Sequence, residues 1–180
     1  MVHGIYKQGA DVNFLNPKRP PAMGMNGAVA SPHYMATQAG QDMLKKGGHA
    51  VDAVIAINSV LTVVYPHMAG LGGDTMVMIH DKKNGKIEAV NGSGASGEKA
   101  TRDFYKEKGH EDKIPQRGPL AANTVPGTVG AWWEMHQKYG KIPWEEVLEP
   151  ARKYAEEGFP MSQKFVSYLY GKRDLLEEYD

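Results

Sequence analysis

The apolar positions in the first half of the chain predict two successive helices. In the first, they recur with the 3.6-residue period of an amphipathic helix, at Met35, Ala36, Ala39, Met43 and Leu44. Ser31 and Pro32 predict the helix start, because serine is a favourable N-cap and proline at the first helical position has no N–H to lose. Gly47 and Gly48 predict its end, since glycine readily adopts the left-handed conformation that stops a helix.

The second helix is predicted over residues 50–64, which are apolar on almost every side. The run is interrupted by Asp52, Asn58, Ser59 and Thr62, and it is shorter than the ~20 residues needed to cross a bilayer. A helix of this kind has to be covered by protein all round. We therefore expect it to be buried, and we expect one small domain to be too small to cover it.

A β-hairpin is predicted next, from two short runs of strand-forming residues at 75–80 and 86–91. Between them lies the sequence Lys82-Lys83-Asn84-Gly85, whose Asn-Gly step favours a tight turn. The two strands are therefore expected to pair antiparallel.

The second half of the chain is predicted to be mainly helical. A glycine-rich link at 92–97 leads to a short polar helix near 101–108 and a loop around 115–119. Further helices are expected from Thr128 as cap to Tyr139, from Pro143 to Gly158, and after Ser162 as cap, and Pro150 is expected to kink or shorten the middle one. We divide the chain into an irregular N-terminal arm, residues 1–24, and one folded part, residues 25–180.

Composition and charge exclude several classes of function. Lys plus Arg and Asp plus Glu number 21 each, so the net charge is zero and neither nucleic acid nor an anionic membrane is an expected partner. The chain has no cysteine, which rules out disulfides and thiolate chemistry. Its seven histidines lack the H-E-x-x-H spacing of a metal site, and we expect no metal and no cofactor. The N-terminal sequence lacks the apolar run of a secretory signal, so the expected location is cytoplasmic.

Two segments could carry chemistry, and a structural interpretation is favoured for both. Residues 92–97 spell G-x-G-x-x-G, but they follow the second strand of a hairpin and not the first strand of a β-α-β unit. A plain glycine-rich loop is therefore preferred over a dinucleotide site. Asp74-Thr75 resembles a self-cleavage junction that would release an N-terminal threonine, yet Thr75 is placed at the start of a hairpin strand.

Several segments in order resemble the start of the gamma-glutamyltranspeptidase family, which belongs to the N-terminal nucleophile hydrolases. The resemblance covers roughly residues 24–163, and the segments that carry it are 31–36 (SPHYMA), 47–56 (GGHAVDAVIA), 65–74 (YPHMAGLGGD), 125–130 (VPGTVG) and 139–162. It implies an α+β fold, a four-layer αββα sandwich of which this chain supplies only the N-terminal part. It also implies a precursor that cleaves itself, so that the partner of this chain is the C-terminal remainder or small subunit with the nucleophilic threonine.

The resemblance places substrate-binding residues at Gly92, Ser93 and Gly94, and it assigns no catalytic residue to this chain. In the family an arginine at the position of Ser93 holds the substrate's alpha-carboxylate, so recognition of that group is expected to be weak here. The expected substrate is a gamma-glutamyl amide such as glutathione. A glutaryl amide is the alternative, because Gly-Ser-Gly resembles the branch labelled cephalosporin or glutaryl acylase. A non-catalytic structural fragment is the third possibility.

Overall fold

The computed structural model describes residues 22–118, 120–121 and 123–178. It consists of helices and one small antiparallel sheet, in the order α1 (Tyr34–Lys45), α2 (Ala50–Val64), β1 (Met76–Asp81), β2 (Lys86–Asn91), α3 (Arg102–Glu107), α4 (Thr128–Tyr139), α5 (Trp144–Glu157), α6 (Gln163–Tyr170) and α7 (Arg173–Glu178). The short helix α7 was not predicted as a separate element. Most of the predicted N-terminal arm, residues 1–21, lies outside the described residues, and the division into arm and folded part stays a prediction.

Helix α1 starts later than predicted, and the prediction that Ser31 caps it is wrong. The N-cap is His33, whose Nδ1 accepts a hydrogen bond from the Met35 amide at 3.3 Å. Ser31 instead donates from its hydroxyl to the His33 carbonyl at 2.8 Å. The predicted end is confirmed, because Gly47 has a φ of 84° and follows the last turn.

Helix α2 is the centre of the core and has the predicted bounds. Its N-terminus is closed by a capping box in which His49 accepts from the backbone and Asp52 accepts from the His49 amide. Ten of its 15 residues are buried, and it packs against α1, α4 and α5. The expectation that a small domain cannot cover this helix is therefore wrong, because helices of the same chain surround most of it.

The predicted hairpin is confirmed. Strands β1 and β2 pair antiparallel, with Val77 opposite Val90 and Met78 opposite Ala89. One face carries Val77, Ile79 and Val90 and packs against the core. The other face is bare, and its large apolar side chains are 75% (Met76), 76% (Met78) and 64% (Ile87) exposed.

The helices of the second half largely follow the prediction. Helix α5 continues through Pro150 to Glu157, because Val147 and Ala151 are buried and tie this helix to the core. Ser162 caps α6 as predicted, with its hydroxyl accepting from the Phe165 amide at 3.2 Å. Thr128 begins α4 but makes no capping bond to the helix, so that part of the prediction is wrong.

Candidate functional site

Three loops meet at the end of the hairpin where β1 begins and β2 ends. They are residues 70–75, residues 91–97 and residues 123–128, and we call them together the three-loop site. The Gly92 amide donates to the Thr75 carbonyl at 2.7 Å, which extends the hairpin ladder into the first two loops. The Val125 amide donates to the Ala95 carbonyl at 2.8 Å, which attaches the third loop. The candidate residues Gly92, Ser93 and Gly94 thus lie between the other two loops.

The start of α4 is anchored to the same place. The Thr128 hydroxyl donates to the Gly73 carbonyl at 2.7 Å, and the Thr128 amide donates to the same oxygen at 3.2 Å. The hydroxyl thus bonds to the glycine turn and does not cap the helix. The fourth side of the site is therefore the N-terminal turn of α4.

The glycines of the candidate loop are required by close backbone packing. A Cβ on Gly94 would lie 1.6 Å from the Val125 carbonyl oxygen, and a Cβ on Gly92 would lie 2.6 Å from the Ala131 Cβ. The facing Gly127 is equally confined, because its Cβ would lie 2.0 Å from the Gly92 carbonyl oxygen. The neighbouring chain can approach this closely only because these three positions have no side chain.

The preference for a plain glycine-rich loop over a dinucleotide site is confirmed. No helix opens within residues 92–97, and the next helix begins only at Arg102. A pyrophosphate would need a helix N-terminus directed at it from within the glycines. The glycines instead allow the loops to pack closely against each other.

Ser93 is exposed at the centre of the three-loop site, and Asp74 lies beside it. The Asp74 Oδ1 accepts from the Thr124 hydroxyl at 3.0 Å and from the Gly94 amide at 3.4 Å. Hydrogen bonds from the Thr124 hydroxyl and the Gly94 amide, with the Ser93 hydroxyl beside them, hold the pKa of the Asp74 carboxyl below its usual range. The site therefore presents an ionised carboxylate at neutral pH.

Sequence reasoning did not assign Asp74 and Thr124 to the site. The sequence presents Asp74 only as half of a possible cleavage junction, although its place directly after a glycine turn is a signal that could mark it. Thr124 carries no local signal, because it reaches Asp74 across 50 residues of sequence. The preference for Thr75 as a hairpin residue is confirmed, since its carbonyl accepts the Gly92 amide.

Two arginines could in principle replace the missing guanidinium at Ser93. Arg102 is the first residue of α3, and Arg117 lines a cleft of about 280 Å³ together with residues 170–174. Neither forms a hydrogen bond or ion pair with Ser93 or Asp74 in the described part of the chain. The arrangement around Ser93 is therefore acidic.

Within residues 22–118, 120–121 and 123–178, no three histidine, aspartate or glutamate side chains come together as metal ligands. None of the helices in those ranges is both long and apolar enough to span a bilayer. The cytoplasmic location stays a prediction.

Comparison with known proteins identifies the fold to which these loops belong. The family model described as gamma-glutamyltranspeptidase matches residues 36–180. The chain belongs to the gamma-glutamyltranspeptidase family. A glutathione hydrolase-like YwrD proenzyme from Bacillus subtilis is 48% identical over 140 residues, which are 78% of this chain and 26% of that protein.

Two solved structures superpose closely on this chain. Helicobacter pylori gamma-glutamyltranspeptidase superposes with a TM-score of 0.81 at 34% identity, over 89% of this chain and 46% of that one. The cephalosporin acylase from Bacillus halodurans superposes with a TM-score of 0.77 at 36% identity, over 90% and 31%. This chain thus spans about a quarter of the curated relative and less than half of either solved chain.

Proposed function

We propose that this chain is the N-terminal part of a self-processing amidohydrolase or acyltransferase that cleaves gamma-glutamyl amides. The observation that carries the proposal is the match of residues 36–180 to the gamma-glutamyltranspeptidase family. The name proenzyme of the Bacillus subtilis relative supports processing, and its greater length supports a precursor that extends beyond this chain.

The nucleophile is proposed to lie outside this chain, on the C-terminal remainder of the precursor. There a threonine, freed by self-cleavage, attacks the amide carbonyl with its hydroxyl, its own alpha-amine acting as the base. The amine of the substrate leaves with the proton, and the acyl ester that remains is transferred to water or to an amino acid. Thr75 is unsuited to this role, because its backbone pairs with Gly92 in the hairpin. We accordingly expect the isolated chain to be inactive.

The four-layer αββα sandwich is proposed for the assembled protein. The hairpin supports this idea, because one of its faces packs against helices while the other exposes Met76, Met78 and Ile87. A two-stranded sheet with a bare apolar face is unstable by itself, and a second sheet stacked on that face would bury it. The remainder of the precursor is the proposed source of that sheet.

The three-loop site is proposed to receive the acyl end of the substrate, with Gly92, Ser93 and Gly94 as its wall. A second candidate substrate is a glutaryl amide, favoured by the likeness to the cephalosporin acylase. A glutaryl group keeps the terminal carboxylate of a gamma-glutamyl group and lacks only the amino group. The two substrates therefore differ in a single positive charge.

The test is to express the whole precursor and to follow its processing and its activity together. Mass spectrometry is expected to find two chains, the smaller beginning with threonine, and the mature protein is expected to release 4-nitroaniline from the gamma-glutamyl anilide. The glutaryl anilide, assayed in parallel, decides between the two substrates. A precursor that stays whole and inactive would instead identify the non-catalytic fragment of the family fold.

The inactivity of this chain needs its own control. Purified residues 1–180 are assayed beside the mature protein, together with a Thr75→Ala variant of the same fragment. Turnover by the fragment that Thr75→Ala abolishes would place the nucleophile in this chain and would refute this part of the proposal.

A further inference from the structure

We propose that Asp74 determines specificity, and that together with Ser93 it binds an amino group on the acyl part of the substrate. This inference rests on the proposed function, because it assumes that the three-loop site faces the acyl group. It assigns to the site a preference for an amino group. Having serine at position 93, where the family has arginine, does not by itself imply that preference. The substrate class is an amide whose acyl chain carries an ammonium group at its far end.

Asp74 lies where the three loops meet. Asp74 follows the glycine turn directly and precedes β1, and its carboxylate is bonded to Gly94 and Thr124 of the other two loops. Every loop of the site therefore contributes to holding this side chain. It is nevertheless exposed, so a ligand can reach it.

The charge of Asp74 is not balanced by its neighbours. Its two hydrogen bonds come from neutral groups, the Thr124 hydroxyl and the Gly94 amide, and neither cancels the charge. Among the described residues no Lys, Arg or His forms an ion pair with Asp74. An ammonium group of a ligand would supply the missing opposite charge.

Ser93 lies beside Asp74 and is exposed like it. Its hydroxyl oxygen can accept a hydrogen bond from a ligand that also reaches the Asp74 carboxylate, which is a pure acceptor. An ammonium has three donors and no acceptor, so it can donate to both groups, whereas a carboxylate would be repelled by the charge of Asp74.

Four anilides separate the contributions of the two charges. The gamma-glutamyl anilide has both an amino group and a carboxylate, and the 4-aminobutyryl anilide has the amino group alone. The glutaryl anilide has the carboxylate alone, and the butyryl anilide has neither. The effect of the amino group on kcat/KM is thus measured by two ratios. One is gamma-glutamyl over glutaryl, with a neighbouring carboxylate, and the other is 4-aminobutyryl over butyryl, without one. We call these the two amino-group ratios.

The variant Asp74→Asn keeps an oxygen that can accept from Thr124 and Gly94 but removes the charge. In the mature two-chain enzyme it is expected to lower both amino-group ratios by about tenfold, the usual scale for a hydrogen bond to a charged group. It is also expected to improve the glutaryl anilide relative to the butyryl one, because repulsion is removed. Asp81→Asn, the same change at the other end of β1, is expected to leave all four values unchanged.

The second variant is Ser93→Arg, in case Asp74→Asn prevents processing. A guanidinium at this exposed position is expected to pair with Asp74 and likewise to lower both amino-group ratios while favouring the glutaryl anilide. An active enzyme whose two ratios are the same in wild type, Asp74→Asn and Ser93→Arg would refute the role of Asp74. Absence of turnover of all four anilides by the processed wild type would refute the proposed function itself, and the two failures are thereby distinguished.

Discussion

The fully buried carboxylate of Asp52 accepts a hydrogen bond from the amide of Lys141, 89 residues away, at 3.1 Å. The same Oδ2 accepts from the amide of His49 at 2.7 Å, and the Nε2 of His136 lies 3.8 Å from Oδ1. One side chain thus joins the start of α2 to the loop between α4 and α5. Since α4 begins at the three-loop site, this junction supports the site from its far end.

Replacing this carboxylate is expected to be strongly destabilising. Asp52→Ala leaves the partly buried amides of His49 and Lys141 without this acceptor, at about 1–2 kcal/mol each, so the free energy of unfolding should fall by about 2–4 kcal/mol. Urea unfolding of the mature protein measures the change. The control is Asp42→Ala on the exposed side of α1. Among the described residues Asp42 pairs with Lys45 alone, and the substitution should cost less than about 0.5 kcal/mol. Equal effects of the two substitutions would contradict the supporting role of Asp52.

The glycine packing predicts a sharp difference within one short segment. Gly94→Ala would drive a methyl group into the backbone at Val125, which cannot move aside as a side chain can. We expect this variant to misassemble the three-loop site and to lose processing and activity, with unfolding easier by about 3 kcal/mol or more. Gly97→Ala is the matched control, because a Cβ there meets nothing within 4 Å. Normal processing and activity of the Gly94→Ala protein would show that the loops do not pack as described.

The bare face of the hairpin predicts opposite effects in the fragment and in the whole protein. In isolated residues 1–180, Met78→Thr should reduce self-association and the binding of a hydrophobic dye, because it removes apolar surface from water. In the mature protein the same change should destabilise by about 1–3 kcal/mol, since the proposed second sheet buries Met78. Met161→Thr, in a loop and 51% exposed, should be nearly neutral in the mature protein. A neutral Met78→Thr in the mature protein would mean that nothing covers this face.

The tie between β2 and α4 predicts a dependence of stability on pH. Glu88 accepts hydrogen bonds from Lys138 and, at 2.5 Å, from the Tyr139 hydroxyl, and these bonds lower the pKa of the Glu88 carboxyl. A group with a lowered pKa stabilises the fold above its unfolded-state pKa and loses that effect as the pH falls through its folded-state pKa. Glu88→Gln should therefore lower the melting temperature at pH 7. The decrease should be only about 1–2 °C, because the side chain is partly exposed and solvent screens its charge.

The same difference should shrink as the pH is lowered through the range in which glutamate titrates. Added salt should also reduce it at pH 7, as expected for a screened surface pair. Glu111→Gln, an exposed glutamate with no hydrogen bond in the described part of the chain, should show neither effect. A melting difference between wild type and Glu88→Gln that is equal at low and neutral pH would point to side-chain shape and not to charge.

The sequence alone determined the elements and the family. Helix α2, helix α4 and the hairpin agree with prediction to within a residue, because hydrophobic period and turn-forming residues act between near neighbours in the chain. The order of the resembling segments identified the gamma-glutamyltranspeptidase family, which the family match confirms. The glycines of the candidate loop were also correctly interpreted as a loop, from their place after a hairpin.

Only the tertiary structure decided how these elements are joined. The burial of α2 by α1, α4 and α5, the bond from Lys141 to Asp52 and the bond from Thr124 to Asp74 all connect residues far apart in sequence. Such contacts depend on the path of the whole chain, and a pattern of near neighbours contains no record of that path. For this reason Ser93 could be proposed from the sequence through its resemblance to the family, whereas the carboxylate of Asp74 joined the candidate site only when the three loops were seen together.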